Sequence, residues 1–87
     1  AERLRFVLAS YNAGPGHVKD AQRLAVELGM FPDRWEGNVE RAIVLLNRPR
    51  YFTGEAAKNG YCRGQDTYWY VRDVTGLYAW MSGKPKR

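Results

Sequence analysis

The side chains able to do chemistry in this 87-residue chain are few: one histidine, one cysteine and nine carboxylates. His17 and Cys62 each stand alone, so the ligand spacings of a zinc site are missing and no metal is expected. Cys62 has no partner for an internal disulfide and reads as a small buried hydrophobe, while His17 reads as a turn or surface residue. Nothing in the sequence supports a cysteine–histidine nucleophile pair. The carboxylates are Glu2, Asp20, Glu27, Asp33, Glu36, Glu40, Glu55, Asp66 and Asp73, and the pattern around each predicts a polar helix face, a cap or a loop. What remains is amide and aromatic chemistry. The stretch S-Y-N-A-G-P-G-H-V, Ser10 to Val18, spends a Tyr-Asn pair, two glycines and a proline on one junction. Such a junction either stops and restarts a helix or presents polar groups to a ligand.

The elements around that junction are helical. Leu4, Val7, Leu8 and Tyr11 recur at i, i+3, i+4 and i+7, the face of a first helix that Gly14-Pro15-Gly16 should end. Val18, Ala21, Leu24, Ala25 and Leu28 form a second face, closed by Gly29. Asp33 with Glu36 resembles a capping box ahead of a third face, Trp35, Val39, Ala42, Ile43 and Leu46, with Pro49 beyond its end. Residues 50–64 read as an aromatic, glycine-dotted connection. Gln65 or Asp66 then caps a last helix whose face is Tyr70, Val71, Val74, Leu77, Tyr78 and Met81. Tyr68, Trp69 and Tyr70 are consecutive, so they point around that helix and at least one ring should meet a groove or another segment. No period-two alternation and no internal repeat occur. The expected fold is all-α with about four helices, over residues 1–83, followed by a basic tail at 84–87.

Composition narrows the partners. A hydrophobic fraction of 45% with 14% aromatics argues for a globular chain, and one of this length buries only about 60% of its unfolded surface. The formal net charge of +5 favours an anionic partner: nucleic acid, an anionic membrane or a carboxylate-bearing polymer. Yet the basic residues are scattered over all the helices, and Asp20 and Glu27 sit on the second, so no stripe tracks phosphates and no nucleic-acid partner is expected. No apolar run is long enough to span a bilayer. The chain opens on A-E-R-L-R-F-V-L, already in helical register and without an initiator Met, which reads as the inside of a longer element.

Flat rings with hydroxyls suit sugar-binding clefts, because they stack on apolar sugar faces and hydrogen-bond at the rim. In that light the junction resembles the A-Y-N-A-G-x-G-x-V signature of lytic murein transglycosylases of the soluble-lytic-transglycosylase, lysozyme-like group. D-T-Y-W-Y-V-R-D-V, Asp66 to Val74, is similar to that family's E-T-x-x-Y-V motif, and G-Y-C-R-G just before it fits the membrane-bound F type. The resemblance runs from about Leu4 to Tyr78. Ser10 replaces the usual Ala and Asp66 the usual Glu.

The resemblance implies a fold, an activity and a site. The chain should be the C-terminal half of a lysozyme-like helical lobe. Tyr11 and Asn12 should line the glycan cleft, Ala13 and Gly14 should let the backbone approach the sugar, and Tyr70 should lie beside the catalytic glutamate. That glutamate, usually followed by Ser, acts as general acid and then base, cleaving the MurNAc–GlcNAc bond without hydrolysis to leave a 1,6-anhydro end. It needs a partly apolar pocket, and no Glu here precedes a Ser. The general acid is therefore expected upstream, and the isolated chain is expected to be inactive. No cofactor is implied. The partners implied are peptidoglycan glycan strands and the N-terminal half of the catalytic domain, with self-association through uncovered apolar surface. The location implied is the periplasm or the periplasmic face of the bacterial outer membrane. A glycan-binding helical module without activity, or a small basic nucleic-acid-binding domain, are the alternative readings.

Overall fold

Helices make the whole architecture, as a computed structural model describing residues 2–83 shows: among the described residues there is no strand. The order is α1 (Glu2–Ala13), α2 (Pro15–Glu27), a π-type turn (Trp35–Val39) leading into α3 (Glu40–Leu45), a short α4 (Pro49–Phe52) and α5 (Gly64–Met81). The all-α expectation holds, with four longer helical segments once the turn is joined to α3. The basic tail at 84–87 lies outside the described residues.

The core forms where α2, α3 and α5 meet α1. Val18, Ala21, Leu24 and Ala25 from α2 pack with Trp35, Val39, Ala42, Ile43 and Leu46, and all are buried. The second and third faces therefore stand as their periodicity predicted, except that Leu28 at the end of α2 is exposed. Phe6 meets the Trp35 indole edge to face at 5.7 Å, which anchors α1 on this core.

Three local expectations are corrected. The face assigned to α1 holds only in part: Leu8 packs against the core and Leu4 is half-buried, but Val7 and Tyr11 are exposed, and the helix buries Ala9, with Phe6 and Ala13 also packed against the core. Small side chains at Ala9 and Ala13 let α1 lie close to both α2 and α5. The capping box at Asp33 and Glu36 does not form. Glu36 (φ −66°, ψ 122°) and Gly37 (φ 75°, ψ −3°) take the two central conformations of a type II turn, which needs glycine second. Glu40 accepts the Gly37 N–H at 2.7 Å, and Glu2 accepts the Trp35 N–H, so carboxylates from other positions do the capping. Finally, α5 begins at Gly64 with Arg63 as its N-cap, ahead of Gln65 and Asp66; Asp66 instead pairs with Arg63 at 3.1 Å in the first turn.

The last face also divides. Val71 is buried and Tyr70 and Val74 are half-buried, but Leu77, Tyr78 and Met81, towards the end of α5, are exposed. The structure extends 43 Å along its long axis against widths of 22 and 17 Å.

Residues 53–63 lack regular structure but are held from below. Asp20, 0% exposed, accepts hydrogen bonds from the Asn59 N–H at 2.8 Å, from Asn59 Nδ2 at 3.2 Å and from the Arg23 guanidinium. Arg23 Nε in turn donates to the Ala56 carbonyl at 3.0 Å. This corrects the expectation that every acid lies on a polar face, cap or loop. The reason is that a backbone segment without its own ladder needs partners, and a buried carboxylate supplies two acceptor oxygens.

Candidate functional site

The junction is built by backbone chemistry. Helix α1 runs to Ala13, and Pro15 starts α2 at a position where its missing N–H costs nothing. Gly14 between them has φ 97°, a conformation that side-chain-bearing residues rarely adopt, while a Cβ there would meet no atom within 4 Å. The glycine is thus required for its torsion, and the surface above it is open. The expected helix stop is present.

Asn12 and Ala13 at the end of this helix form one wall of a cleft of about 400 Å³. His17 from the first turn of α2 continues that wall, and Tyr61, Cys62, Arg63, Asp66 and Thr67 form the opposite one. A single direct bond crosses between the motif segments: the Thr67 hydroxyl donates to Asn12 Oδ1 at 2.7 Å. His17 Nδ1 is buried without a protein partner among the described residues, an atom that a ligand group or water would satisfy. The carboxylate of Asp66 is largely exposed at the cleft edge, with Arg63 beside it.

Of the residues singled out in the sequence, the cleft gathers Asn12 and Ala13. Gly14 lies at the adjoining helix start, and Tyr11 is 83% exposed beside the cleft without lining it. Tyr70 does not line it either; it packs half-buried against the core one turn beyond Thr67 on the same face of α5. Thr67, Tyr61 and Arg63 were missed as candidates. Thr67 was visible inside the D-T-Y-W-Y-V segment, but its partner lies 55 residues away and nothing local signals the pairing.

Cys62 borders the cleft floor and is buried. Burial, reinforced by the charge of Asp20, pushes its thiol from the ordinary 9.0 up to about 11. That is opposite to the activation a nucleophilic cysteine needs. Among the described residues no three His, Cys, Asp or Glu side chains come together as a metal site would require, and no helix is long and apolar enough to cross a membrane.

A small all-α unit with a polar cleft at a Tyr-Asn-Ala-Gly helix junction defines a class, and similarity gives it a lineage. No protein-family profile matches the chain. The chain is, however, homologous to the membrane-bound lytic murein transglycosylase F proteins. It is 37% identical over 90 residues to that of Shewanella denitrificans, covering 100% of this chain and 18% of the relative. It is 47% identical over 73 residues to that of Pasteurella multocida, covering 84% of this chain and 14% of the relative. It is 42% identical over 76 residues to that of Desulfosudis oleivorans, covering 87% of this chain and 16% of the relative. The chain thus spans less than a fifth of the length of these relatives.

Proposed function

We propose that this chain forms the C-terminal portion of a lytic transglycosylase catalytic domain, over residues 1–83, and supplies part of the cleft that holds a peptidoglycan glycan strand. The observation that carries the reading is the Thr67–Asn12 hydrogen bond, which brings the two motif segments together at one open, polar cleft. In this reading Asn12 and the exposed Tyr11 ring contact sugar, Ala13 and Gly14 keep the backbone accessible, and Tyr70 faces the partner half of the domain.

The parent enzyme cleaves the MurNAc–GlcNAc bond non-hydrolytically in the periplasm. A glutamate of the partner half protonates the leaving glycosidic oxygen and then takes the proton of the muramic 6-hydroxyl as it closes the 1,6-anhydro ring. The acids of this chain are poorly placed for that work. Asp20 is sealed in the core with both oxygens occupied, Glu2 and Glu40 cap backbone N–H groups, and the others are exposed. General acid–base help is worth about 10²–10⁴-fold, so the isolated chain should be inactive.

The experiment is to incubate the purified chain with murein sacculi, alone and with the preceding segment of a F-type relative, and to look for 1,6-anhydro muropeptides by mass spectrometry. Products are expected only in the combined reaction. Products from the chain alone would assign the chemistry to one of its own nine acids. Strong, salt-sensitive binding to DNA with no binding to sacculi would support the nucleic-acid alternative instead.

A further inference from the structure

The three threonines of this chain do not behave alike. Thr53 and Thr75 donate back to the carbonyls four residues earlier, Pro49 at 2.6 Å and Val71 at 2.8 Å, the usual local outlet for a helical hydroxyl. Thr67 sits in the same helix as Thr75, yet its hydroxyl leaves the helix and reaches Asn12 Oδ1 on α1. Thr67 is 2% exposed while Asn12 is exposed at the cleft, so the contact is a partly buried one at the cleft wall.

A carboxamide has an acceptor end and a donor end of nearly the same shape. An exposed asparagine free to turn presents either end to a ligand. A hydroxyl proton committed to Oδ1 removes that freedom and leaves the NH₂ as the end offered to the cleft. We propose that Thr67 is a positioning residue that holds the Asn12 carboxamide in one orientation, so that the cleft presents an N–H donor to an acceptor oxygen of the glycan, of the acetamido-carbonyl kind. The proposal rests on the glycan reading above, and deepens it by naming the polarity of the sugar group recognised.

Three variants separate the possibilities. Thr67→Val keeps the shape and removes the hydroxyl, whereas Thr67→Ser restores it. Asn12→Asp keeps the acceptor for Thr67 and deletes the donor. The first measurement needs no sugar: NMR relaxation of the Asn12 side-chain NH₂ should show a rigid group in the wild type and in Thr67→Ser, and a mobile one in Thr67→Val. The second is titration with the tetramer of N-acetylglucosamine. Loss of one hydrogen bond's worth of positioning predicts a Kd about five- to tenfold weaker for Thr67→Val, with recovery in Thr67→Ser. Asn12→Asp should bind at least about tenfold more weakly with little change in melting temperature.

A rigid Asn12 amide in Thr67→Val, an unchanged Kd in that variant, or wild-type binding by Asn12→Asp would overturn the proposal. If Thr67→Val does not fold, Asn12→Asp decides the matter, since it retains the Thr67 contact. A wild-type chain that does not bind the tetramer would sink the cleft reading, and the relaxation data would still report separately whether Thr67 fixes the amide.

Discussion

Gly64 lies against the backbone of Ile43 so closely that a Cβ on it would sit 1.8 Å from the Ile43 carbonyl oxygen and 2.7 Å from the Val44 nitrogen. The start of α5 therefore packs directly on the α3 main chain, and the cleft wall that follows, Asp66 and Thr67, is set by that contact. Gly64→Ala cannot be relieved by a side-chain rotation, because the obstructing atoms are backbone. It should destabilise the chain by about 3 kcal/mol or more. Gly76, in the same helix, has open space around its missing Cβ. Gly76→Ala should stabilise by about 0.5–1 kcal/mol, because glycine is a poor residue for a helix interior. Urea unfolding of the two variants checks both signs, and equal effects would refute the packing account.

Asp20 is the keystone of the 53–63 segment. Asp20→Ala removes the buried partner of the half-exposed Arg23 and strands the Asn59 N–H, a change that should cost about 1–3 kcal/mol. Hydrogen exchange should accelerate at Asn59 and in residues 56–62 well before it does in α2. Uniform acceleration throughout the chain would mean that Asp20 supports the whole fold instead of this segment.

Cys62 should be a poor nucleophile in the folded chain. With its thiol pushed from 9.0 to about 11, the thiolate fraction near neutral pH falls about a hundredfold. Iodoacetamide should label it slowly in buffer and rapidly in denaturant. The sign for stability follows from the same shift. The folded state holds the proton more tightly, so the contribution is complete below pH 9 and is lost as pH rises through about 11. Comparing the unfolding free energy at pH 7.5 and 10.5, the wild type should lose more than Cys62→Ala does; identical losses would refute the assignment.

The second half of α5 presents Leu77, Tyr78, Trp80 and Met81 to solvent, with Trp80 at 72% exposure. Apolar surface of this kind promotes association. Sedimentation equilibrium should show self-association as concentration rises, reduced in the double variant Trp80→Ser, Met81→Ser with helicity unchanged. A chain that stays monomeric at millimolar concentration would count against uncovered packing surface on this helix.

Periodicity and turn chemistry determined much of this molecule without any tertiary information. The faces of α2 and α3 were legible because their apolar residues repeat at helical spacing and, Leu28 apart, point into one core. The break at Gly14-Pro15 was legible because proline and a left-handed glycine act on their own backbone. The Tyr-Asn-Ala-Gly and Tyr-Val segments pointed to the family for the same reason: they are local strings. What tertiary structure decided was everything that depends on a partner far along the chain. Periodicity gave α1 the face Leu4, Val7, Leu8 and Tyr11, and close approach by α2 and α5 rotated the buried side towards Ala9. The Asp33–Glu36 cap lost to Glu2, which competes from 33 residues away for the Trp35 N–H. Asp20 reads as an ordinary surface acid until residues 53–63 fold over it, and the cleft forms where the ends of α1 and α5, 55 residues apart in sequence at Asn12 and Thr67, are packed together. Local preferences are properties of a few neighbouring residues, whereas burial and pairing belong to the folded chain as a whole.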